Sequence, residues 1–216
     1  VEITIKTLNY TPSGRYNIPN LKDALTSKTR LVSLTHVHNV YGTEMEIEKI
    51  RKIIPKSVII ALDAAQSIGH TQVDIQNLGV DFLSFSGHKL FAETGIGVLW
   101  IKQALHEHIQ PFVTGGETEF KNAVFKRIEA GTPHISGILS LGAAIDFVES
   151  IGVSTIHKHL VELTQYTLSQ LKLIQYIELL PGYAHASQYD GYGIVAFKVT
   201  GISSNDVSFI MDQNKI

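Results

Sequence analysis

The sequence predicts an α/β fold, with a mainly parallel sheet flanked by helices and then the start of a smaller α+β domain. Three observations carry this expectation. Short apolar runs alternate with amphipathic stretches through residues 1–101. One run, Val58-Ile59-Ile60-Ala61-Leu62, is apolar throughout, as expected of a strand covered on both faces. From residue 135 the pattern changes to two long helical stretches.

Each element has a local reason. Residues 1–8 alternate apolar and polar and predict a strand. Asn20 is placed to cap a short helix over 21–27. Residues 31–36 form a strand-like run that ends at His36. Met45, Ile47, Ile50, Ile53 and Ile54 share helical spacing, so 44–54 reads as an amphipathic helix stopped by Pro55. The apolar run 58–62 ends at Asp63 and predicts a strand buried on both faces, as in a parallel sheet. A short helix over 73–78 follows, then strands over 82–85 and 97–101. Residues 115–133 are rich in Gly and charge and read as a loop. Helices are expected over 135–151 and 153–174, separated by Gly152. Strands over 177–180 and 194–199 flank a polar loop, and Ser204 or Asn205 is expected to cap a last helix through Met211. The predicted division is 1–150 for the α/β domain and 151–216 for the start of the smaller one. Both ends read as cuts.

Composition excludes several classes. The chain has 216 residues, 44% hydrophobic and 18% charged, which is globular rather than disordered. A net charge of −2 leaves no electrostatic footprint for nucleic acid or an anionic membrane. No apolar run approaches the roughly 20 residues of a membrane helix. The opening residues do not read as a signal peptide, so a cytoplasmic location is the expectation. Zero cysteines exclude a disulfide framework, a cysteine zinc site and a cysteine nucleophile within this chain. His36 and His38 lie two apart, as do His106 and His108, but no third ligand stands at metal-site spacing, and no metal is expected. Gly115-Gly116 lacks the following Lys-Ser/Thr of a phosphate loop.

In open α/β sheets, ligands bind at the carboxyl ends of the strands. Asn39, Asp63 with Gln66, and Ser86-Gly87-His88-Lys89 follow three successive predicted strand ends. Taken singly, an Asp after a strand also fits a helix cap, and a His-Lys pair also fits a solvated turn. Together they suit a cofactor that carries a cationic ring nitrogen and an aldehyde. Pyridoxal 5'-phosphate is such a cofactor, with a lysine as covalent partner and a carboxylate beside its ring nitrogen. A lysine shielded from bulk water has a lowered pKa, which helps that exchange.

Four segments then stand in order. They are Thr35-His36-Val37-His38-Asn39 continuing to Thr43, Asp63-Ala64-Ala65-Gln66, Ser86-Gly87-His88-Lys89 with Thr94-Gly95-Ile96-Gly97, and Arg127-Ile128-Glu129-Ala130-Gly131-Thr132-Pro133. With them the chain resembles the class V aminotransferase family, fold type I, in its cysteine desulfurase and selenocysteine lyase branch. The resemblance implies a pyridoxal-phosphate enzyme that converts L-cysteine to L-alanine. Sulfur would pass to an enzyme cysteine outside this chain, in the service of iron–sulfur cluster assembly. It implies that Lys89 holds the cofactor covalently and moves protons at the substrate carbon. Asp63 would partner the ring nitrogen, Gln66 the phenolic oxygen, and Ser86 and His88 the phosphate, with Asn39 near the ring. His36 receives no role beyond a buried structural histidine. Arg127 is expected near a subunit interface, and Thr118 lies in the loop that would reach a partner's phosphate. The implied partners are cysteine or selenocysteine, a second copy of the chain as homodimer, and a sulfur-acceptor protein.

The chain also departs from the family pattern. Ala92-Glu93 stands where Gly-Pro is usual, Lys126 and His134 replace an aromatic residue and an asparagine, and His38 is unusual. The resemblance covers about the middle half of a family member and omits the segment with the persulfide-forming cysteine. The alternatives are another enzyme of the family (aminotransferase, epimerase or lyase) and a non-catalytic truncated copy. Intact Asp63, Gln66, His88 and Lys89 weigh against the last. A reading frame that continues into an Arg and a Cys loop discriminates in favour of the desulfurase.

Overall fold

A computed structural model describes residues 2–115, 127–180, 183 and 192–216. The chain divides into two compact units. One comprises Thr26–His36 and Glu46–Ser154, and the other Val1–Leu25, Val37–Met45 and Thr155–Ile216.

The first of these carries the main sheet. Strands β1 (Leu31–Thr35), β2 (Ile59–Asp63), β3 (Phe82–Ser86) and β4 (Gly97–Ile101) lie in that order. β1, β2 and β3 run parallel, and β4 pairs antiparallel with β3. The apolar run thus becomes an inner strand, with Ile60 and Leu62 buried on one face and Ile59 and Ala61 half-buried on the other. Helix α2 (Ile47–Ile53) contributes Ile47 and Ile50 to the core. It begins later than the predicted 44–54 and ends just before Pro55, where the missing N–H and ring sterics stop a helix. Helix α3 (Ile75–Leu78) starts at Asp74, whose Oδ1 accepts from the Gln76 and Asn77 N–H groups. At the other strand edge, Asp81 accepts from the Ile60 N–H and pairs with Lys102 at 3.0 Å. Helix α4 (Ile135–Ile151) matches its predicted span and ends at Gly152, whose φ is 86°.

The other unit holds helix α1 (Ile18–Ala24), most of helix α5 (Val153–Leu171), the antiparallel pair β5 (Ile177–Leu179) and β6 (Phe197–Val199), and helix α6 (Ser204–Gln213). Its core centres on Leu168 and Tyr183. The Tyr183 hydroxyl donates to the Tyr41 carbonyl at 2.9 Å and accepts from the Ala196 N–H at 3.0 Å. The Tyr192 hydroxyl meets the Glu44 carboxylate.

Three expectations are corrected. Residues 2–9 form no strand, and Ile3 and Ile5 are exposed. Alternation prepares a strand, but no edge among the described residues pairs with this one. Helix α1 is capped by Asn17, whose side chain accepts from the Asn20 N–H, so Asn20 sits inside the first turn beside Pro19. Helix α6 is capped by Ser203, whose hydroxyl accepts from the Asp206 N–H, so Ser204 and Asn205 are helical. In both cases the residue able to reach a free N–H from extended backbone was one to three positions earlier. Among the described residues, no single helix is long and apolar enough to cross a membrane.

Candidate functional site

Parallel pairing places the carboxyl ends of β1, β2 and β3 on one edge. Thr35 pairs with Asp63, and Asp63 with Ser84. The ladder runs to the very end of β2, since the His36 N–H donates to the Asp63 carbonyl and the Ala64 N–H to the Ser84 carbonyl, each at 2.8 Å. The backbone beneath the site is therefore fixed, and the side chains that follow project from a rigid edge.

Asp63 is exposed at that edge. Its Oδ1 accepts from the Ala65 N–H at 2.9 Å, which closes the turn after β2. Its other oxygen has no hydrogen-bond partner among the described residues. Gln66 is half-buried in the same turn, and its backbone carbonyl meets the His70 ring at 3.1 Å. Beneath the turn lies a buried pair. The Ser67 hydroxyl donates to the Ala64 carbonyl at 3.1 Å, so its oxygen accepts from the His36 Nδ1–H at 2.9 Å. His36 thus ties the end of β1 to the turn after β2. Spacing did not single out Ser67, because nothing in the sequence says which hydroxyl a buried histidine will meet.

The end of β3 carries the second group. Ser86 closes the strand, and Gly87–Leu90 form one tight 3₁₀ turn. The Gly87 N–H donates to the Ile96 carbonyl at 2.9 Å, and the Ala92 N–H to the Gly87 carbonyl at 3.1 Å. A Cβ at Gly87 would lie 2.6 Å from the Ile96 side chain, so only glycine lets this turn close. His88 is exposed and Lys89 half-buried. Neither side chain has a hydrogen bond or ion pair among the described residues. Asp63, Gln66, Ser86, His88 and Lys89 therefore share one sheet edge within one unit.

Asn39 belongs to the other unit. It is exposed on a turn built around His38. The His38 Nδ1 accepts from the Val40 and Tyr41 N–H groups at 3.1 and 3.3 Å, and the Gly42 N–H donates to the His38 carbonyl at 2.8 Å. The ring packs edge-on against Tyr10 and Tyr41. Two N–H donors on Nδ1 require that nitrogen to be unprotonated. Burial acts in the same direction, holding the His38 pKa below 6.5. With the folded pKa lowered, the unfolded chain binds the proton first as pH falls. Stability attributable to His38 is therefore full above pH 6.5 and declines below it, until the folded pKa is passed. The urea midpoint is expected to drop less between pH 7.5 and 5.5 in His38→Asn, whose amide oxygen still accepts, than in the unsubstituted chain. Equal drops would remove His38 as the titrating group.

The Arg127 guanidinium donates to the His106 and Ile109 carbonyls at the end of the 3₁₀ segment Gln103–His108, while its buried Nε has no partner among the described residues. Thr118 and Lys126 lie outside the described residues. Among those described, no group of three or more His, Asp or Glu is placed to hold a metal.

Comparison with known proteins gives the family. A family model described as aminotransferase class-V matches residues 1–216. A probable cysteine desulfurase of Halalkalibacterium halodurans is 37% identical, over 97% of this chain and 53% of the relative. A cysteine desulfurase of Wigglesworthia glossinidia brevipalpis is 35% identical, over 98% of this chain and 53% of the relative. The solved apo structure of a cysteine desulfurase from Thermococcus onnurineus NA1 superposes with a TM-score of 0.82 at 31% identity, over 98% of this chain and 54% of that one. The chain spans about half the length of the curated relatives it matches. With a family model matched from end to end, and with a parallel sheet whose carboxyl edge bears Asp63 and Lys89, this chain belongs to the class V aminotransferase family and has the fold type I architecture of the cysteine desulfurases.

Proposed function

We propose that this chain supplies the cofactor-holding part of a pyridoxal-phosphate cysteine desulfurase. The observation that carries the reading is a pair of groups at adjacent parallel strand ends that have no partner among the described residues, the second oxygen of Asp63 and the amine of Lys89. The family depends on pyridoxal phosphate, and the residues present fit it. A carboxylate suits a cationic ring nitrogen, an amine suits an aldehyde, and an amide, a hydroxyl and an imidazole suit oxygens. The Gly87 turn, where a Cβ would meet Ile96, packs the segment between Ser86 and His88 closely against the following loop.

When bound, the cofactor supplies an electron-withdrawing ring that stabilises negative charge on the substrate carbon. Asp63 would keep the ring nitrogen protonated, because a neighbouring carboxylate favours the charged form. Gln66 would donate its amide to the phenolic oxygen. Ser86 and His88 would take the phosphate, and Asn39 would lie near the ring. Lys89 would hold the cofactor covalently and carry a proton to and from the substrate carbon.

The proposed overall reaction takes L-cysteine and a thiol to L-alanine and a persulfide, in which the cysteine C–S bond breaks and a new S–S bond forms. The chain has 0 cysteines, so that thiol stands outside it. The proposed destination of the sulfur is an acceptor protein of iron–sulfur cluster assembly. A homodimer is part of the same reading. It is supported by helix α4, which buries Leu141, Ala144 and Val148 and leaves Ile135, Ile138, Leu139 and Ile145 exposed.

The test is alanine formation from L-cysteine by the protein carrying this chain, with pyridoxal phosphate and a thiol reductant. Stoichiometric alanine and sulfide are expected, with no keto acid formed. Keto-acid production without sulfide would assign an aminotransferase instead.

A further inference from the structure

Glu93 stands four positions after Lys89, and helix α4 holds it at three points. Its backbone N–H donates to the Ser140 hydroxyl at 2.8 Å. Its carboxylate Oε1 accepts from the Ser136 hydroxyl at 2.8 Å and from His134 Nε2 at 3.0 Å. Ser136 and Ser140 lie four apart and so share one helix face. The carboxylate also sits at the helix N-terminus, where negative charge is favoured, and where His134 at the cap position makes no side-chain cap bond of its own.

The space for this arrangement is built in. The His134 ring lies over Gly137, where a Cβ would come within 2.5 Å of it, and beside Gly95, whose φ is 91°. A second link joins the same two elements, since Phe91 meets Phe147 edge-on with ring centroids 5.6 Å apart.

Between Lys89 and Glu93 the backbone is strained. Phe91 has a φ of 69°, a left-handed conformation that a bulky residue adopts only when its surroundings over-determine it. Phe91 caps the 3₁₀ turn with its N–H bonded to the Gly87 carbonyl, and its ring contact with Phe147 and the bonds of Glu93 add tertiary support to that cap.

We propose that Glu93 is a positioning residue for Lys89. By clamping the strained segment to the start of helix α4, it holds the turn that presents the lysine amine to the cofactor's aldehyde. The inference rests on the reading of Lys89 as the cofactor lysine. His134 and Ser136 act through the Glu93 carboxylate, and Ser140 through its backbone.

The test titrates the full chain with pyridoxal phosphate, following the cofactor's visible absorption. Borohydride reduction and peptide mapping then measure the share of label on Lys89. Glu93→Ala is expected to weaken apparent cofactor binding roughly tenfold, the scale of a lost charge-assisted hydrogen bond, and to lower the Lys89 share. Glu93→Gln is expected to recover most of both, because its amide oxygen still accepts from Ser136 and His134. Ser136→Ala, which removes one hydroxyl from the carboxylate, should shift binding in the same direction by less. Unchanged cofactor affinity and Lys89 share in Glu93→Ala would overturn the proposal, whatever the unfolding midpoint does. Should that variant not fold, an unaltered titration in Ser136→Ala overturns it equally. An unsubstituted chain that takes no label on Lys89 overturns the reading of Lys89 itself, and this inference with it.

Discussion

Replacing Lys89 by alanine is expected to abolish borohydride-trapped pyridoxyl label at the site. In the unsubstituted chain, the label should map to the peptide containing Lys89 above every other lysine. The reason is local. Lys89 is half-buried next to the β3 end, its amine is engaged by no described residue, and Ser86 and His88, the proposed phosphate ligands, flank it. A bound phosphate turns an otherwise bimolecular encounter between amine and aldehyde into an intramolecular one. Exposed lysines such as Lys49 and Lys158 sit beside carboxylates and have no such neighbours. The same lack of partners means that folding is barely touched, and the unfolding free energy of Lys89→Ala should stay within about 0.5 kcal/mol. Label spread evenly over the lysines of the unsubstituted chain would withdraw the assignment of Lys89.

The second large effect is expected at Asp63, and it separates charge from capping. The Asp63 Oδ1 closes the turn after β2 through the Ala65 N–H. Asp63→Asn keeps an acceptor oxygen there, so the turn and the His36–Ser67 pair beneath it persist. What it removes is the negative charge. If that charge holds the ring nitrogen protonated, kcat/KM for alanine formation should fall roughly 10²–10³-fold, the usual scale for losing one preorganised electrostatic group. Label at Lys89 should still form, because covalent attachment does not need the ring to act as an electron sink. Steady-state kinetics and the labelling assay, run on the same preparation, give both readings. A variant with undiminished kcat/KM would reduce Asp63 to a turn cap.

Much of this was legible in the residues. The unbroken apolar run before Asp63 predicted a strand with both faces apolar, and it lies inside the sheet with parallel neighbours on both edges. The helix over Ile135–Ile151 followed from periodicity and from Gly152 at its end. The polar groups at strand ends were legible because a parallel sheet brings successive carboxyl ends to one edge whatever the intervening turns do. These features depend on patterns a few residues long, whose burial is set by periodicity alone.

Other features depend on what a residue meets after folding. The alternation over residues 1–8 lacked a partner edge, and the helix caps shifted to the residue whose side chain reached a free N–H. β4 pairs antiparallel with β3, an orientation its own five residues do not encode. Ala92-Glu93 and His134 read as two unrelated departures in sequence, and tertiary contact joins Glu93 to His134 at 3.0 Å. The sequence by itself therefore determined the α/β class, the apolar strand before Asp63 and the polar groups that follow β2 and β3. Tertiary structure decided the strand orientation at the sheet edge and the clamp on the Lys89 segment, because hydrogen bonds and ion pairs between distant residues exist only once the backbone has brought both partners within about 3 Å.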